Sequence, residues 1–468
     1  MNTPHTTQDM TDWQARIKDS CAERFRLFQE KEAAKKSEGG FIYRLEKEGV
    51  VLCGCEQAFS GELLIPEIIG GHKVYKIEHA FKDCEDLQRL IIPDSVSEVV
   101  SDIFGFCISL EAFEVSSSNP HLCSQDGVLF SKDMKQLMQY PQARRGSYTV
   151  PNGVTTIRML AFECCHGLTA LTIPDDVTTI GFSAFAYCVN LEQVTLSSRL
   201  QEIDYTLFTH CVSLDAIRIP HSVTAIKNGA FDSCKSLKSV VLPPNLGIIG
   251  LNAFMGCASL EEISIPAQTV DIDAGAFSNC ESLNAIHVDA GNAVYYSRQG
   301  VLFDRMKAEL IQYPAGRSGS YAVQMGTLSI SKAAFCGCTR LTEIILPDTV
   351  TRIGRQAFLD CISLKKISLP GSLQTIPDEA FIGCINLREV IVPASVTTVC
   401  HLAFAGCSLL ERLIFEGSAP YVTHEAFACI EHAAIYYQEG MDGWVEWVEE
   451  FKDVAGFPKI KSTPCTSI

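Results

Sequence analysis

Three short clusters carry the residue types from which metal or redox centres are built: Cys53-Gly54-Cys55, Cys164-Cys165-His166 and Cys336-Gly337-Cys338. A zinc site needs about four such ligands converging in tetrahedral geometry. None of the three clusters has a second pair at a suitable spacing. The cysteines of the first read as neighbours on one strand face. In the other two, Cys165 and Cys338 belong to a repeated core position, which leaves too few free ligands. Nucleophilic catalysis needs a Cys or Ser with a positioned base and an oxyanion site. The eleven histidines are scattered: His79 and His210 lie near turns, His221 follows a proline and His287 lies in a strand. No GxSxG, HExxH, P-loop or GxGxxG context accompanies them. The expectation is a protein that is not an enzyme, with no catalytic residues, no metal and no cofactor.

Most of the cysteines have another explanation. Of 21, twelve recur at one position: Cys84, Cys107, Cys165, Cys188, Cys211, Cys234, Cys257, Cys280, Cys338, Cys361, Cys384 and Cys407. Each closes the pattern Ala-Phe-x-x-Cys-x-x-Leu, which returns at a step of 23 residues, as in AFAYCVNL (184–191) and AFDSCKSL (230–237). A fixed period of this size marks a stacked repeat. One thiol per unit is not a disulfide framework, and free Cys packs as a small hydrophobe. A reduced, buried ladder follows.

Composition supports this. The 468 residues are 47% hydrophobic and 20% charged, enough apolar surface for a continuous core. A formal charge of −17 argues against nucleic acid, whose phosphates demand clustered Lys and Arg. No stretch approaches the roughly 20 apolar residues that span a bilayer. The opening residues MNTPHTTQDMTDWQARIKDS show neither a basic leader nor an apolar core, so a cytoplasmic location is expected.

The elements can be placed from one unit. Leu168-x-x-Leu171-x-Ile173 alternates as a short half-buried strand, and Pro174 ends it. Val177-x-x-Ile180 gives a second extended segment, and Gly181 permits a turn. Ala184-Phe185-x-x-Cys188 reads as a single helical turn pressed on the core. Two intervals, Phe104 to Phe162 and Phe277 to Phe335, break the step with matching inserts, DGVLFSKDMKQLMQYP (126–141) and QGVLFDRMKAELIQYP (299–314), which read as β-hairpins. Loop insertions in repeat proteins gather on one face, often the binding face. The organisation is an N-terminal amphipathic helix and polar linker (1–39, with Trp13, Ile17, Cys21, Phe25 and Phe28 on one face), a β cap (40–79), repeats (80–430) with inserts near 116–150 and 289–323, and a C-terminal cap (431–468). Trp444, Val445, Trp447, Val448 and Phe451 read as packing for that last cap.

In each strand the residue between the last two apolar positions projects from the expected concave sheet. Those residues are Thr172, Thr195, Arg218, Val241, Ser264 and His287, then Ile345, Ser368, Ile391 and Ile414. The aliphatic run in register reads as a contact strip for a protein partner. The competing reading is plain strand propensity.

The unit L-x-x-[VI]-x-[IL]-P-x-x-[VL]-x-x-I-[GA]-x-x-A-F-x-x-C resembles the BspA-type leucine-rich repeat over about residues 41–437. The inserts GVLF…L-x-Q-Y-P, the stretch ELLIPEIIGGHKVYKIEHAF and the C-terminal FEGSAPYVTHEAF match features recurrent in that family. The resemblance implies a right-handed leucine-rich-repeat solenoid of the α/β class, β-rich with short helical turns. The long surface that a stacked repeat builds makes a non-catalytic protein-binding scaffold the leading expectation, and the resemblance implies the alternative, a cell-surface or secreted adhesion protein that binds host matrix proteins or other cells. The sequence departs from the repeat at Ser197 and Gln324, which stand at proline positions, and at Ile430, which stands at a Cys position.

Overall fold

The computed structural model describes residues 35–463 apart from 57, 79, 101–104, 106, 431 and 453–456. The expected N-terminal helix lies outside the described residues, as do Phe104 and His79. The chain forms two compact units, one from residues 1–144 with 160–165, the other from 145–159 with 166–468. Both are built almost wholly from short strands, which makes the fold a β-solenoid.

The first unit opens with strands Lys36–Glu38, Phe41–Glu46 and Gly49–Cys55 in antiparallel order. Gly49–Cys55 then pairs in parallel with His72–Ile77, which turns the cap into the repeat direction. Strands Gly61–Leu64, Leu87–Ile92 and Ala112–Val115 continue as a parallel ladder. Phe41, Leu52, Val74, Phe81, Cys84, Leu90 and Phe113 fill the core beneath them.

In the second unit each coil contributes a longer strand and a two-residue strand, on two separate faces. Leu168–Thr172 pairs with Gln193–Thr195, Ala216–Arg218 with Ser239–Val241, and Glu262–Ile265 with Ala285–Val288, always in parallel. On the other face Glu202–Ile203, Ala225–Ile226, Ile248–Ile249 and Asp271–Ile272 form one sheet. Every pair joins residues 23 apart, such as Ile203 with Ile226. Like therefore stacks on like. The rings of Phe185, Phe208, Phe231, Phe254 and Phe277 lie 5.1 to 5.7 Å apart and nearly parallel. Phe335, Phe358, Phe381, Phe404 and Phe427 form a second column at 5.1 to 6.1 Å.

The Ala-Phe-x-x-Cys segment differs from the expected helical turn. It runs through consecutive tight turns in which Ser183 and Tyr187 both take left-handed φ, near 53° and 59°. The Phe amide points out of its own coil: Phe185 N–H donates to Leu207 O at 3.1 Å, and Phe208 N–H to Ala230 O at 2.8 Å. The neighbouring coil takes that donor, and the left-handed φ at Ser183 and Tyr187 excludes a right-handed helical turn. Among the described residues the one short exception is a 3₁₀ turn at His424–Phe427. Gly181 also has a different role from turning the chain. A Cβ there would sit 2.4 Å from Met159 N, so glycine admits the neighbouring backbone.

Each insert is a three-stranded meander and not a two-stranded hairpin. Leu122–Gln125 precedes Val128–Ser131 and Gln136–Gln139, and Tyr295–Arg298 precedes Val301–Asp304 and Glu309–Gln312. Asp126-Gly127 and Gln299-Gly300 turn the chain with both residues at positive φ, as a tight primed hairpin turn requires. In the second unit the insert stays within the coil pattern. Leu310 pairs with Ile330 as a short-strand residue, and Tyr313 stacks on Phe335 at 5.2 Å in place of a phenylalanine. Tyr140 does the same beside Phe162 in the first unit, at 4.8 Å. Buried Asn119 and Asn292 anchor the entries. Asn292 donates to Pro266 O and Thr269 O and accepts from the amides of Val294 and Tyr295.

At the C-terminal end, helix Trp444–Phe451 lays Trp444, Trp447 and Phe451 on the last coils. The indole N–H of Trp444 donates to Gly417 O and that of Trp447 to Pro420 O, each at 3.0 Å. Val445 stays exposed. The apolar core that this helix closes reaches back through Phe404 to Val301. Replacing Phe254 by alanine opens a gap between Phe231 and Phe277 and is expected to cost about 3–5 kcal/mol. The check is the urea midpoint of the variant against the parent, with the exposed change Val445→Ala as a control that leaves it unmoved.

Candidate functional site: the strand face of the second unit

Parallel pairing in a step of 23 carries each outward residue onto its counterpart in the next coil. The register joins Thr172 to Thr195, Arg218 to Val241, Ser264 to His287, Ile345 to Ser368 and Ile391 to Ile414. Thr172, Thr195, Arg218, Val241, Ser264, His287, Ile345 and Ile391 are exposed, and Ser368 is half-buried. Ile414 departs from the expectation: only 7% of it is accessible. Its ladder neighbours are Ile391 and Tyr436, and two large side chains on either side shield it. The ten positions fall into several short sheets, so the structure brings them together in sets and not as one strip.

Two residues earlier, Glu343, Lys366, Glu389 and Arg412 form a column of alternating charge along the last coils, while Ala170, Gln193, Ala216, Ser239 and Ala285 hold the same place uncharged in earlier ones. Glu343 meets Lys366 at 3.3 Å, Glu389 meets Arg412 at 2.9 Å, and Glu262 reaches His287 at 3.4 Å. Exposed pairs of this kind contribute about 0–1 kcal/mol each. Their larger effect is to neutralise the face, which in an acidic chain leaves the aliphatic positions free of a repelling field. A depression of about 340 Å³ opens on this face between Lys366, Ser368, Glu389, Ile391 and Pro393. Beyond it Tyr436 carries the guanidinium of Arg412 at 5.1 Å and the ammonium of Lys461 at 5.3 Å. Sequence reasoning missed Tyr436, because its strand, Ala434–Gln438, follows a 22-residue step and falls out of the repeat text.

The cysteine clusters serve packing. Cys211, Cys234, Cys257 and Cys280 each donate from Sγ to the carbonyl of the phenylalanine 26 residues earlier, at 3.1 to 3.2 Å. Cys361, Cys384 and Cys407 repeat the bond at 3.2 Å. Burial pushes the thiols of Cys211, Cys234, Cys257, Cys280, Cys384 and Cys407 up, to about 12 at Cys280 and Cys407. Cys336 is pushed up to about 12 by the same cause. Cys53 donates to Ile42 O at 3.6 Å, and Cys55 lies 3.7 Å from Cys84, sulfur to sulfur. Among the described residues no three of His, Cys, Asp and Glu converge as metal ligands. His210 stacks on Tyr187 at 4.7 Å, and His287 is the ion-pair partner of Glu262. Among the described residues no helix is long and apolar enough to cross a membrane.

Alongside the 23-residue coil, its Phe column and its thiol–carbonyl bonds, the sequence matches the BspA type Leucine rich repeat region in six copies over residues 55–126, 147–293 and 325–442. The chain belongs to the BspA-type leucine-rich-repeat family. It is similar to a leucine rich cell surface protein from Faecalibacterium prausnitzii A2-165, with 25% identity, a TM-score of 0.53, and coverage of 88% of this chain and 96% of that one. It is also similar to a leucine-rich repeat protein from Bacteroides ovatus ATCC 8483, at 22% identity and a TM-score of 0.43, covering 92% and 99% of the two chains. No curated protein sequence matches. Membership makes the BspA-type chain a repeat scaffold of a kind that is generally non-catalytic.

The thiol ladder has a measurable signature. Iodoacetamide treatment of the native BspA-type protein is expected to modify exposed Cys429 and to spare Cys234, Cys257, Cys280 and Cys407. Because burial raises the ladder pKa values, their thiolates form only far above neutrality. Raising the pH from roughly 7 to 10 leaves them unmodified until the coils unfold. Peptide mapping by mass spectrometry reads the result. Modification of the ladder at pH 10 without loss of fold contradicts the assignment.

Proposed function

We propose that this chain is a non-catalytic protein-binding scaffold that contacts its partner through the strand face of the second unit and through the inserts. One observation carries the reading: Ile345 and Ile391 are exposed aliphatic side chains, each flanked by charges that cancel in pairs, Glu343 with Lys366 and Glu389 with Arg412. A face of that composition suits a protein surface, and the net charge of −17 disfavours nucleic acid. No cofactor is invoked.

A second reading is adhesion at a cell surface, to host matrix proteins or to other cells. It is favoured by the similarity to a protein named as a leucine rich cell surface protein. The two readings share the contact face and differ in where the partner resides. Cell fractionation followed by cross-linking separates them: capture of an intracellular partner supports the first, and capture of a matrix or surface protein from outside the cell supports the second.

The contact face is tested by the triple variant Arg218→Glu, Ile345→Asp, Ile391→Asp. All three positions are exposed, so the melting temperature should stay within a few degrees of the parent, while capture of the cross-linked partner falls by about tenfold or more. Unchanged capture by a folded triple variant removes the strand face from the proposal.

A further inference from the structure

The longer strands of the second unit are divided among several short sheets, and one of the divisions falls at the second insert. Glu262–Ile265 and Ala285–Val288 form a two-stranded sheet, and the next longer strand, Gly319–Ala322, begins a separate sheet with Leu341–Ile345 and Lys366–Ser368. Gly319–Ala322 is therefore an end strand, with a strand partner on one side only. Its other side faces the insert, which is tied back to Ala285–Val288 through Ile286 N–H to Gly300 O at 2.9 Å and Ser297 Oγ to Ile286 O at 2.6 Å. Between insert and strand lies a cleft of about 270 Å³ lined by Arg298, Phe303, Tyr321, Ala322, Gln324 and Met325.

Three features of the cleft await a counterpart. Arg298 is exposed at its rim, and among the described residues no carboxylate lies within ion-pairing distance of it, although the chain carries 55 acidic residues. Gln324 stands where the first insert is followed by Pro151, and its Oε1 is buried without a hydrogen-bond partner. Met325, next to it, is 72% exposed. Leaving a buried carboxamide oxygen unpaired is costly, and a donor from a bound ligand would recover that cost. The floor is aromatic, with Tyr321 against Tyr313 at 4.6 Å and Phe303 against Tyr296 at 5.3 Å.

We infer that this cleft binds an extended acidic segment of a protein partner. The segment lies along the free side of Gly319–Ala322 as an added strand, sets a carboxylate on Arg298, offers a donor to Gln324 Oε1 and places an apolar side chain against Phe303, Tyr321 and Met325. Strand addition supplies main-chain hydrogen bonds, and the alternate side chains supply selectivity. The inference rests on the protein-binding reading given above and names the chemistry of one contact within it. The first insert lacks this chemistry at the matching positions, which hold Gln125, Pro151 and Asn152 in place of Arg298, Gln324 and Met325.

The test uses the full chain and a fluorescein-labelled peptide that alternates Glu with Ile and Phe, read by fluorescence anisotropy. Saturable binding is expected, weakened about tenfold by Arg298→Glu, with the melting temperature unchanged because the side chain is exposed. A peptide of the same sequence with alternate backbone amides methylated keeps every side chain but cannot add as a strand, and should lose binding. A Lys-for-Glu peptide should not bind. No binding of the Glu peptide, equal binding to Arg298→Glu, or full binding of the methylated peptide overturns the inference. Partner capture that is sensitive to the strand-face triple variant but indifferent to Arg298→Glu overturns it while leaving the scaffold reading standing.

Discussion

The coils of the second unit give Phe amides, Cys thiols and Phe rings to their neighbours. The Phe amide donates to the following coil, the Cys thiol donates to the Phe carbonyl of the preceding coil, and the Phe rings stack between them. A single coil so made has no core and cannot be stable alone. The same constraint explains why thiols line the interior. Cysteine is small enough to pass beneath the stacked rings, yet carries a weak donor for a carbonyl that water cannot reach. It also explains the glycines: Gly181, Gly250 and Gly354 sit where a Cβ would fall 2.4 to 2.8 Å from the amide of the adjacent coil.

Once the interior is committed in this way, variety is confined to the outward positions. The strand face combines self-cancelling charges with isolated aliphatic residues, and it grows more apolar toward Ile345 and Ile391. The inserts vary the surface without disturbing the stack, because each supplies its own replacements for the missing coil: Tyr313 for a phenylalanine and Leu310 for a short-strand isoleucine. One of the divisions of the longer-strand ladder falls at the second insert. Edges of sheets are usually protected, and here the edge is paired with an uncompensated arginine and a buried, unpaired carboxamide.

Most of the fold was legible in the sequence because the repeat enforces like on like. Once Phe185 and Phe208 are known to be 23 apart, the columns of Cys, Ile and Pro follow, and the outward positions follow from strand alternation. Local structure inside the turn was less legible. The i, i+1, i+4 spacing of Ala184, Phe185 and Cys188 fits a helical turn as well as it fits two linked tight turns. What separates them is the left-handed backbone at Ser183 and Tyr187, on either side of the Phe185 amide that bonds to another coil. Ile414 reads as exposed by alternation alone, and its burial depends on the size of Tyr436, whose strand is out of phase with the repeat. Gln324 was visible as a departure from proline, but its unpaired oxygen emerges only from the packing beneath the insert.

Removal of one whole repeat tests the dependence of the structure on coil-to-coil register most directly. Excising residues 231–253 joins Ala230 to Phe254 and restores the Ala-Phe-x-x-Cys text with a step of 23 intact. Excising residues 231–252 removes one residue fewer and leaves a 24-residue coil at the junction, whose Phe falls out of phase with Phe208. Circular dichroism with urea unfolding should find the first chain folded and cooperative, since each coil still meets a matching neighbour, and the second strongly destabilised or unfolded. Equal stability of the two chains would contradict the account.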